Sequence, residues 1–539
     1  MKSISALNLK KLLQSGREIA LLDVREHGQY GECHLFFAVS IPYSLLEYRV
    51  RELVPNVNTP IVYYANAEQH QLVAQVSARL SALGYSDVAY LAGGIEAWQD
   101  AGFSSFAGVN LPSKTFGELA ELHYHTPHLS AHQLHTLTND PTAKLLILDG
   151  RPVQEYRKMN IPGAACCPNG ELALRAAQMV EDEETTIVIN CAGRTRSIIG
   201  AQSLINFGLK NPVFALENGT QGWYLEDYAL EHGSDRLYPE EIDQSLLATL
   251  QTKGQALQQR FELASIKPDR LPELLSEEQS TIFICDIRTR KEFIASAWPQ
   301  TVRHTPGGQL IQATDEYIGV RNATLVLIDT DGIRAPVVAS WLKQLGWRVY
   351  LLAVTDDGAA LREQLPETAS FDIVLKHSKH IADASLEAFI KQTPDLLIVD
   401  TRNSMDFRKQ HLKDAIWLNR SHLLHQSKKP HPLLNAPKSK PILLFGDKAP
   451  INTLLAADLE QLGFQQLYLA TVDASFFTHT DHAVSEGDSL LEDADCIDYL
   501  FFVHDRHQGN KAAALQYLKW ETDLISQVDE DEKAVFKFK

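Results

Sequence analysis

The stretch "ILDGRPVQEYRKMNIPGA", Ile147 to Ala164, occurs in four versions along the 539-residue chain. The other three are "LLDVREHGQYGECHLFFA" (21–38), "ICDIRTRKEFIASAWPQT" (284–301) and "IVDTRNSMDFRKQHLKDA" (398–415), and all four align without gaps. Each begins with an apolar run and an Asp-x-Arg motif, followed by an aromatic residue seven positions after the Asp and a small residue fifteen positions after it. An internal repeat of this kind predicts four copies of one structural unit.

The residues that follow each repeat decide the fold class. A second apolar run ("PIVYY", "TIVIN", "TLVLI" or "PILLF") leads into a helical pattern that ends in glycine, and another short apolar run comes next. Glycine suits the left-handed C-cap of a helix. The four closing glycines are Gly84, Gly208, Gly346 and Gly463. Strands that alternate with helices over about a hundred residues predict α/β units, each built around a mostly parallel sheet.

The repeats divide the chain into four predicted domains and two further segments. The domains are predicted at residues 1–110, 125–235, 261–370 and 378–480. Residues 236–260 have a proline near their start, acidic residues next and apolar residues at helical spacing, so they predict a connecting helix. Residues 481–539 predict a helical C-terminal tail that packs back on the domains. The tail's His504 and His507 lack carboxylates at metal-ligand spacing, so we predict no metal site there.

The charge and composition of the chain disfavour two classes of binding partner, nucleic acids and membranes. The chain has 50 Lys and Arg residues against 68 Asp and Glu residues, a formal charge of −18 at pH 7, and no long basic block. A general nucleic-acid surface or an anionic-membrane anchor would therefore work against net repulsion. The N-terminus has no apolar signal region, and nowhere do eighteen apolar residues run together. We predict a cytoplasmic protein that binds neither nucleic acid nor membrane.

Six cysteines are few for this length, and they form no Cys-x-x-Cys pair or zinc-type spacing. We therefore predict neither a disulfide scaffold nor a structural metal. The sequence implies no organic cofactor. The adjacent Cys166 and Cys167 are interpreted as small packing residues.

One cysteine differs from the rest in its surroundings. In "TIVINCAGRTRSIIG", Thr186 to Gly200, Cys191 lies between a predicted buried strand and a predicted helix that begins after Arg196. A loop at such a junction can aim backbone N–H groups and the positive end of the helix dipole at one point. Arg194 and Arg196 add two positive charges, and Gly193 lets the loop close tightly. Free cysteines usually serve as packing residues, but this pattern favours a nucleophilic thiolate in a local cationic cradle.

The length of this loop separates two chemistries. Cysteine phosphatases and many arsenate reductases use Cys-x5-Arg, in which the arginine reaches round a tetrahedral anion. Here Arg196 stands at Cys-x4-Arg, and Ser197 occupies the next position. The shorter loop suits a smaller target, a sulfur atom, and disfavours a phosphatase or an arsenate reductase.

These motifs together resemble rhodanese domains. The resemblance is carried by the repeated D-x-R-x3-[EQD]-[YF] pattern, "IPGA" at 161–164, "CAGRTRS" at 191–197, "LAGGIEAW" at 91–98 and "LENGTQGW" at 216–223. It covers about residues 1–480 and is most specific in the first two copies. It implies small parallel sheets flanked by helices. It also implies a sulfurtransferase that moves sulfane sulfur from thiosulfate to a thiophilic acceptor, through a persulfide on the cysteine.

Carried onto this chain, the resemblance implies the roles of individual residues. Cys191 is the nucleophile, the backbone of the following loop holds the persulfide, and Arg194 and Arg196 bind the thiosulfate anion. The implied substrate-binding residues are Ala192, Gly193, Arg194, Thr195 and Arg196. The implied structural supports are Asp149, Arg151, Glu155 and Ser197. We expect Asp149 and Arg151 to fix the loop through hydrogen bonds and an ion pair with Glu155.

The other three copies lack the thiol. Ala65, Asp329 and Gly446 stand at or near the cysteine position, so these copies are predicted to be inactive. We expect them to give architectural support; covering the active domain, mediating self-association, and binding partner proteins or small anions are the alternatives. A pairing of the first copy with the second is expected.

The loop sequence favours some sulfur donors over others but does not select among the acceptors. Mercaptopyruvate-specific members of the family usually carry a C-G-S-G-V-T type loop, from which "CAGRTR" departs at most positions. Thiosulfate or a small persulfide is therefore the predicted donor. The acceptor could be cyanide, glutathione, a dithiol protein or a sulfur-carrier protein. The alternative function is a non-catalytic scaffold or a sensor of sulfur or anions.

Overall fold

The computed structural model describes residues 1–277, 280–354, 359–363, 365, 373–424, 431–473, 475–487, 491–501 and 510–539. Four five-stranded sheets, one for each repeat, share one strand order. The first strand of each repeat pairs with the last, and the strand that ends in Asp-x-Arg lies between the second apolar run and an edge strand. All strand pairs within these four sheets are parallel, which confirms the predicted α/β class. His504 and His507 lie outside the described residues.

The strands are short, and their bounds follow in spatial order across each sheet. The first sheet has Lys2–Ile4, Val88–Leu91, Ile61–Tyr64, Ala20–Asp23 and Val39–Ser40. The second has His128–Leu129, Val213–Leu216, Thr186–Asn190, Leu145–Asp149 and Ala165–Cys166. The third has Ala264–Ile266, Arg348–Ala353, Thr324–Asp329, Ile282–Asp286 and Val302–His304. The fourth has Ser378–His380, Leu467–Thr471, Ile442–Gly446, Leu397–Asp400 and Ile416–Trp417.

Helices connect the strands of each repeat and flank its sheet. Those of the first repeat are Ala6–Leu13, His27–Glu32, Leu46–Leu53, His70–Ala82 and Gly94–Asp100. Those of the second are Ala131–Thr138, Val153–Lys158, Leu172–Arg175, Thr195–Asn206 and Gly219–Leu225. Those of the third are Leu271–Leu275, Arg290–Ser296, Gly307–Gln312, Thr314–Tyr317, Arg334–Gln344 and Ala359–Arg362. Those of the fourth are Asp383–Gln392, Ser404–Lys409, Ala449–Gln461 and Phe476–His479.

Among the described residues, four more α-helices have bounds outside the repeats. We call Leu111–Tyr124 the linker helix and Lys511–Gln527 the C-terminal helix; the others are Gln244–Arg260 and Glu530–Lys533. No helix in the described ranges has both the length and the apolar content that crossing a bilayer requires.

The chain forms two compact units. One contains residues 1–13 and 20–108 with the described residues of 369–502, and the other contains residues 14–19 with the described residues of 109–368 and 503–539. The first repeat therefore shares a unit with the fourth, and the second with the third. In the first unit, buried Arg420 of the fourth repeat forms an ion pair with Glu47 of the first, at 2.7 Å. Such contacts fix the grouping, and no local sequence pattern encodes them.

The Asp-x-Arg motif makes the same contacts in every repeat. The arginine Nε donates to the aspartate of its own motif at 3.0, 2.9, 2.9 and 3.1 Å in repeats one to four. A terminal nitrogen of each arginine also reaches eight residues ahead, to the carbonyls of Cys33, Met159 and Gln410 and the hydroxyl of Ser296. The motif thereby ties the end of its strand to the end of the next helix.

The closing glycines adopt the predicted left-handed backbone. Their φ angles are 94°, 78°, 96° and 91° for Gly84, Gly208, Gly346 and Gly463. Residues with a Cβ rarely adopt such angles, which explains why glycine ends this helix in every repeat.

Two predicted segments differ from the structure in extent. The connecting helix is Gln244–Arg260, shorter than the predicted 236–260, because the Asp243 side chain accepts from the backbone N–H of Ser245 and caps the helix there. Leu237, before this cap, forms a bridge with Cys166 at the edge of the second sheet. In the tail, Val484–Ser485 is a strand antiparallel to His411–Leu412, and Asp493–Asp495 is a short 3-10 helix. The longest helix among the tail's described residues is Lys511–Gln527.

Candidate active site

Cys191 directly follows the strand Thr186–Asn190, at its carboxyl end. The parallel register pairs Asn190 with Asp149, the aspartate of the motif. The corresponding partners of the motif aspartates in the other sheets are Tyr64, Ile328 and Phe445. The next residues along the chain are Ala65, Asp329 and Gly446. The register therefore places these three residues at the position of Cys191.

The Cys191 side chain is nearly enclosed, with 2% of the residue exposed. The Ser197 hydroxyl donates a hydrogen bond to its sulfur at 3.0 Å. Cys191 also lines a cavity of about 390 Å³. The sulfur thus has a polar neighbour and an adjoining space large enough for a small molecule.

The helix after Cys191 begins earlier than predicted. It spans Thr195–Asn206, so Thr195, Arg196 and Ser197 form its first turn. Its N-terminus follows the Cys191 loop directly, and the unpaired N–H groups of a first helical turn favour negative charge nearby. This position is the one expected for a thiolate or a persulfide.

The segment "LENGTQGW" (216–223), near the end of the second repeat, forms hydrogen bonds with the Cys191 loop. The backbone N–H of Thr220 donates to the Cys191 carbonyl at 2.8 Å, and that of Gln221 donates to the Ala192 carbonyl at 3.1 Å. Gly219, at φ +53°, lies so close that a Cβ atom there would be 2.2 Å from the Cys191 carbonyl oxygen. Only glycine fits this approach, which explains the glycine in "LENGTQGW".

The two loop arginines are neutralised by carboxylates of other elements. Arg194 donates to both oxygens of Glu118, at 2.8 and 2.9 Å, and also binds Glu121. Arg196 donates from both terminal nitrogens to Glu155, each at 2.8 Å. Burial opposes the charge on each arginine, but the adjacent carboxylates outweigh it and raise the arginine pKa. The loop therefore has less free positive charge than the sequence predicted.

Glu155 binds an arginine of the loop that the sequence did not connect with it. Its carboxylate binds Arg196 of the loop, whereas the guanidinium of Arg151 is held by Asp149 and by the Met159 carbonyl, at 2.6 Å each. Glu155 thus supports the site directly, through Arg196.

Glu118 lies in a crowded group of acids beside the loop. Burial raises its pKa to about 7, Glu521 and Glu121 add to the rise, and Arg194 opposes it. Glu521 belongs to the C-terminal helix and accepts a hydrogen bond from the Thr195 hydroxyl at 3.1 Å. The C-terminal helix therefore contacts the first turn after Cys191.

Three segments that the sequence did not connect with Cys191 form walls of the cavity. Beside Arg151, Glu155 and residues 191–196, the lining includes Lys114 of the linker helix, Gln309, Gln312 and Glu316 of the third repeat, and Tyr517 and Glu521 of the C-terminal helix. These segments are far apart in sequence and share no motif with the loop. The predicted site residues do meet there: Cys191, Ala192, Gly193, Arg194, Thr195 and Arg196 all line the cavity, and Ser197 and Asp149 lie behind it.

Comparisons with known proteins agree with this architecture. The family model "Rhodanese-like domain" matches residues 5–101, 130–226 and 383–471, which together make up more than half of the chain. The third repeat is absent from these matches, yet it has the same five-stranded sheet order as the others.

Individual relatives match to different extents. The crystal structure of thiosulfate sulfurtransferase from Pseudomonas aeruginosa is similar over 99% of this chain and 99% of its own, with 34% identity and a TM-score of 0.86. "Putative sulfur carrier protein YrkF" of Bacillus subtilis (strain 168) is 34% identical over 84 residues, 16% of this chain and 44% of that protein. Protein HIGH ARSENIC CONTENT 1, mitochondrial, of Arabidopsis thaliana is 27% identical over 112 residues, 19% of this chain.

The chain thus spans 44% and 65% of the lengths of these two curated relatives, and the P. aeruginosa structure over nearly its whole length. On the family match and the shared sheet order, the chain belongs to the rhodanese-like family.

Proposed function

We propose that this protein is a rhodanese-type sulfurtransferase that moves sulfane sulfur from thiosulfate, or from a small persulfide, to a thiophilic acceptor such as cyanide or a thiol. The observation that carries the proposal is the setting of Cys191. Its sulfur adjoins the N-terminus of the helix Thr195–Asn206 and accepts a hydrogen bond from the Ser197 hydroxyl. The residue also lines a small cavity. The full-length similarity to the P. aeruginosa thiosulfate sulfurtransferase supports this choice of chemistry.

The reaction needs one nucleophile and two displacement steps. The Cys191 thiolate attacks the sulfane sulfur of thiosulfate, a new S–S bond forms, and sulfite leaves with the electron pair of the broken S–S bond. The acceptor then attacks the terminal sulfur of the persulfide and releases the Cys191 thiolate. With cyanide the product is thiocyanate. Sulfur moves as a neutral atom, so the cycle requires no added oxidant or reductant.

The surrounding residues act mainly by positioning. The Ser197 hydroxyl stabilises negative charge on the sulfur, as does the first turn of the helix. Arg196 is fixed by Glu155, and Arg194 by Glu118, so the loop between Cys191 and the helix is held at both arginines. Such prior ordering lowers the cost of forming the charged intermediate.

The third repeat gives architectural support and walls the cavity, but its own site is filled. At its strand end, Asp331 accepts from the backbone N–H groups of Ile333 and Arg334, at 2.8 and 2.9 Å. The buried Arg334 guanidinium in turn binds Asp331, Glu171 and Glu292. In the third repeat, side chains of the protein thus bind the backbone N–H groups of the loop that corresponds to the loop proposed to hold the donor in the second repeat.

We place this activity in the cytoplasm. All six cysteines are free thiols in the structure, which suits a reducing compartment.

The proposal is tested by comparing the wild type with Cys191→Ser. Incubation with thiosulfate should add the mass of one sulfur atom to the wild type, as seen by intact mass spectrometry, and added cyanide should release thiocyanate. Cys191→Ser should do neither, whereas the control Cys33→Ser, at a half-buried thiol of the first repeat, should do both. Thiocyanate formation by Cys191→Ser would refute the assignment. A wild type without adduct or turnover would favour the non-catalytic scaffold or sensor.

A further inference from the structure

We propose that Lys114 binds the anionic end of the sulfur donor in the Cys191 cavity. This inference rests on the proposed function and adds the residue that selects the donor. Lys114 lies on the linker helix, outside every range that the family model matches. Nothing in the repeats therefore points to it.

Lys114 is held inside the cavity wall. Only 4% of the residue is exposed, and it lines the same cavity as Cys191. Its Nζ lies over two rings of the C-terminal helix, 5.1 Å from the centre of Tyr517 and 4.8 Å from that of Trp520. Aromatic faces attract a cation without using its N–H groups as hydrogen-bond donors to oxygen. The ammonium is thus held beside the cavity, and within the described ranges the structure records no oxygen acceptor for its Nζ, so it has donors to offer a ligand.

The other cations of the cavity are already neutralised or exposed. Arg194, Arg196 and Arg151 each form an ion pair with a carboxylate of the second unit. Lys158 is exposed, so water and salt screen its charge. Lys114 alone among these five is buried and, within the described ranges, forms no ion pair with a carboxylate.

Asp315 of the third repeat interacts with Lys114 electrostatically. Asp315 of the third repeat has its pKa raised to about 7 by burial and by Glu316, and the charge of Lys114 opposes that rise. Because this carboxyl is partly protonated near neutral pH, it compensates the ammonium incompletely. A buried ammonium whose charge is only partly compensated favours binding of an anion.

The chemistry of the donor fits this arrangement. Thiosulfate carries two negative charges, largely on its sulfonate oxygens, and it departs as sulfite. With the sulfane sulfur at Cys191 and the oxygens at Lys114, the ammonium stabilises both the bound donor and the charge that grows on the leaving sulfite. The site therefore favours small oxyanion donors of the thiosulfate class over uncharged ones.

The experiment measures anion binding separately from sulfur transfer. Cys191 is alkylated with uncharged iodoacetamide in increasing sulfate, an unreactive anion, and the half-protecting sulfate concentration is recorded together with the KM for thiosulfate. Lys114→Met should raise both values about tenfold to a hundredfold, because a charge-assisted hydrogen bond is lost. Lys114→Arg, which keeps the charge, should restore most of the binding. Lys519→Met, which removes an exposed lysine of the C-terminal helix, should change neither value.

The outcomes separate the two proposals. Wild-type values in Lys114→Met and in a second variant, Lys114→Gln, would overturn the role of Lys114, provided that either variant melts at the wild-type temperature. Sulfate protection that depends on Lys114 in a protein that forms no persulfide would support the anion site and refute the sulfurtransferase.

Discussion

The Thr195 hydroxyl donates a hydrogen bond to the Glu521 carboxylate at 3.1 Å, across 326 residues of sequence. Thr195 opens the helix after Cys191, and Glu521 lies in the middle of the C-terminal helix. The tail predicted to pack on the domains is therefore part of the wall of the candidate site. Further contacts attach the end of the tail to the same unit, including the stacking of Phe538 on Phe116 with ring centres 5.0 Å apart.

Removing the Thr195 hydroxyl should loosen the C-terminal helix. Glu521 Oε2 is buried without a hydrogen-bond partner in the described structure, so Thr195→Val leaves both carboxylate oxygens unpaired. We expect a loss of about 1–3 kcal/mol in local stability and faster amide hydrogen exchange across Lys511–Gln527. Thr522→Val is the control, since the Thr522 hydroxyl donates only to carbonyls of its own helix. Equal exchange in wild type and Thr195→Val would contradict the role given to this bond.

Ser197 should make the Cys191 sulfur more reactive. A hydrogen bond to the thiolate is worth about 1 kcal/mol, so Ser197→Ala should slow alkylation of Cys191 by iodoacetamide at neutral pH about threefold to tenfold. Ser203→Ala provides a comparison on the same helix, because the Ser203 hydroxyl donates to the Ile199 carbonyl and not to sulfur. An unchanged alkylation rate in Ser197→Ala would show that the bond does not stabilise the anion.

Asp149 should support the fold more than a surface acid does. In Asp149→Asn the buried Arg151 loses its counter-charge, and such a loss typically costs about 3–5 kcal/mol. The expected result is a marked fall in the melting temperature of the second unit, measured by calorimetry. Glu183→Gln breaks the exposed pair with Lys210 and should cost less than about 1 kcal/mol. If Asp149→Asn and Glu183→Gln had equal melting temperatures, the buried pair would not stabilise the fold more than the exposed pair does.

Gly219 should tolerate no side chain. A Cβ in Gly219→Ala would lie 2.2 Å from the Cys191 carbonyl oxygen and 2.8 Å from that of Gly193, so the loop must shift. We expect most of the sulfurtransferase activity to be lost, together with a lower melting temperature. Gly233→Ala is the matched control: its φ is +70° but its Cβ would meet nothing within 4 Å. That variant should keep its activity and lose only about 1–2 kcal/mol to backbone strain.

Asp329, at the cysteine position of the third repeat, should make stability depend on pH. Burial, and then the nearby Asp331, raise its pKa in the folded protein to about 7 from an ordinary value of 3.8. The folded state therefore holds this proton more tightly than the unfolded state, and the resulting stability is complete below about pH 4 and lost as the pH rises through 7.

Asp329→Asn should accordingly be more stable than the wild type at pH 8, by about 1–3 kcal/mol, and the advantage should shrink towards pH 5. Melting temperatures of the second unit across this range provide the measurement. Asp269→Asn, which removes an exposed charge in the same repeat, should show no such trend. A difference between Asp329→Asn and wild type that did not vary with pH would mean that Asp329 is already ionised at pH 5.

The repeated elements of the fold were predictable because their causes are local. Apolar runs, helical spacing and the closing glycines act over a few residues, and four aligned copies make each signal stronger. The position of Cys191 followed from the same pattern, since a loop after a central parallel strand lies at the carboxyl edge of the sheet. The limits of elements were less predictable. The Asp243 cap, for example, began the connecting helix later than the acidic residues before it suggested.

The surroundings of Cys191 depended on distant residues. Glu118 binds Arg194, which lies 76 positions later in the sequence, and Glu155 binds Arg196, which lies 41 positions later. Nothing near "CAGRTR" shows that its arginines are neutralised, because a carboxylate on another helix leaves no mark on the loop's own sequence. The cation available to a donor, Lys114, lies on a helix that has no rhodanese motif.

The amino-acid sequence by itself determined the four α/β repeats, their strand and helix order, and the single thiol among four equivalent strand ends. These properties follow from backbone preferences and apolar periodicity, which act between near neighbours. Only the tertiary structure decided which repeats share a unit, which charges remain free beside Cys191, and that the C-terminal helix lines its cavity. Those outcomes depend on ion pairs and packing between segments up to several hundred residues apart, whose energies exist only once the chain has folded.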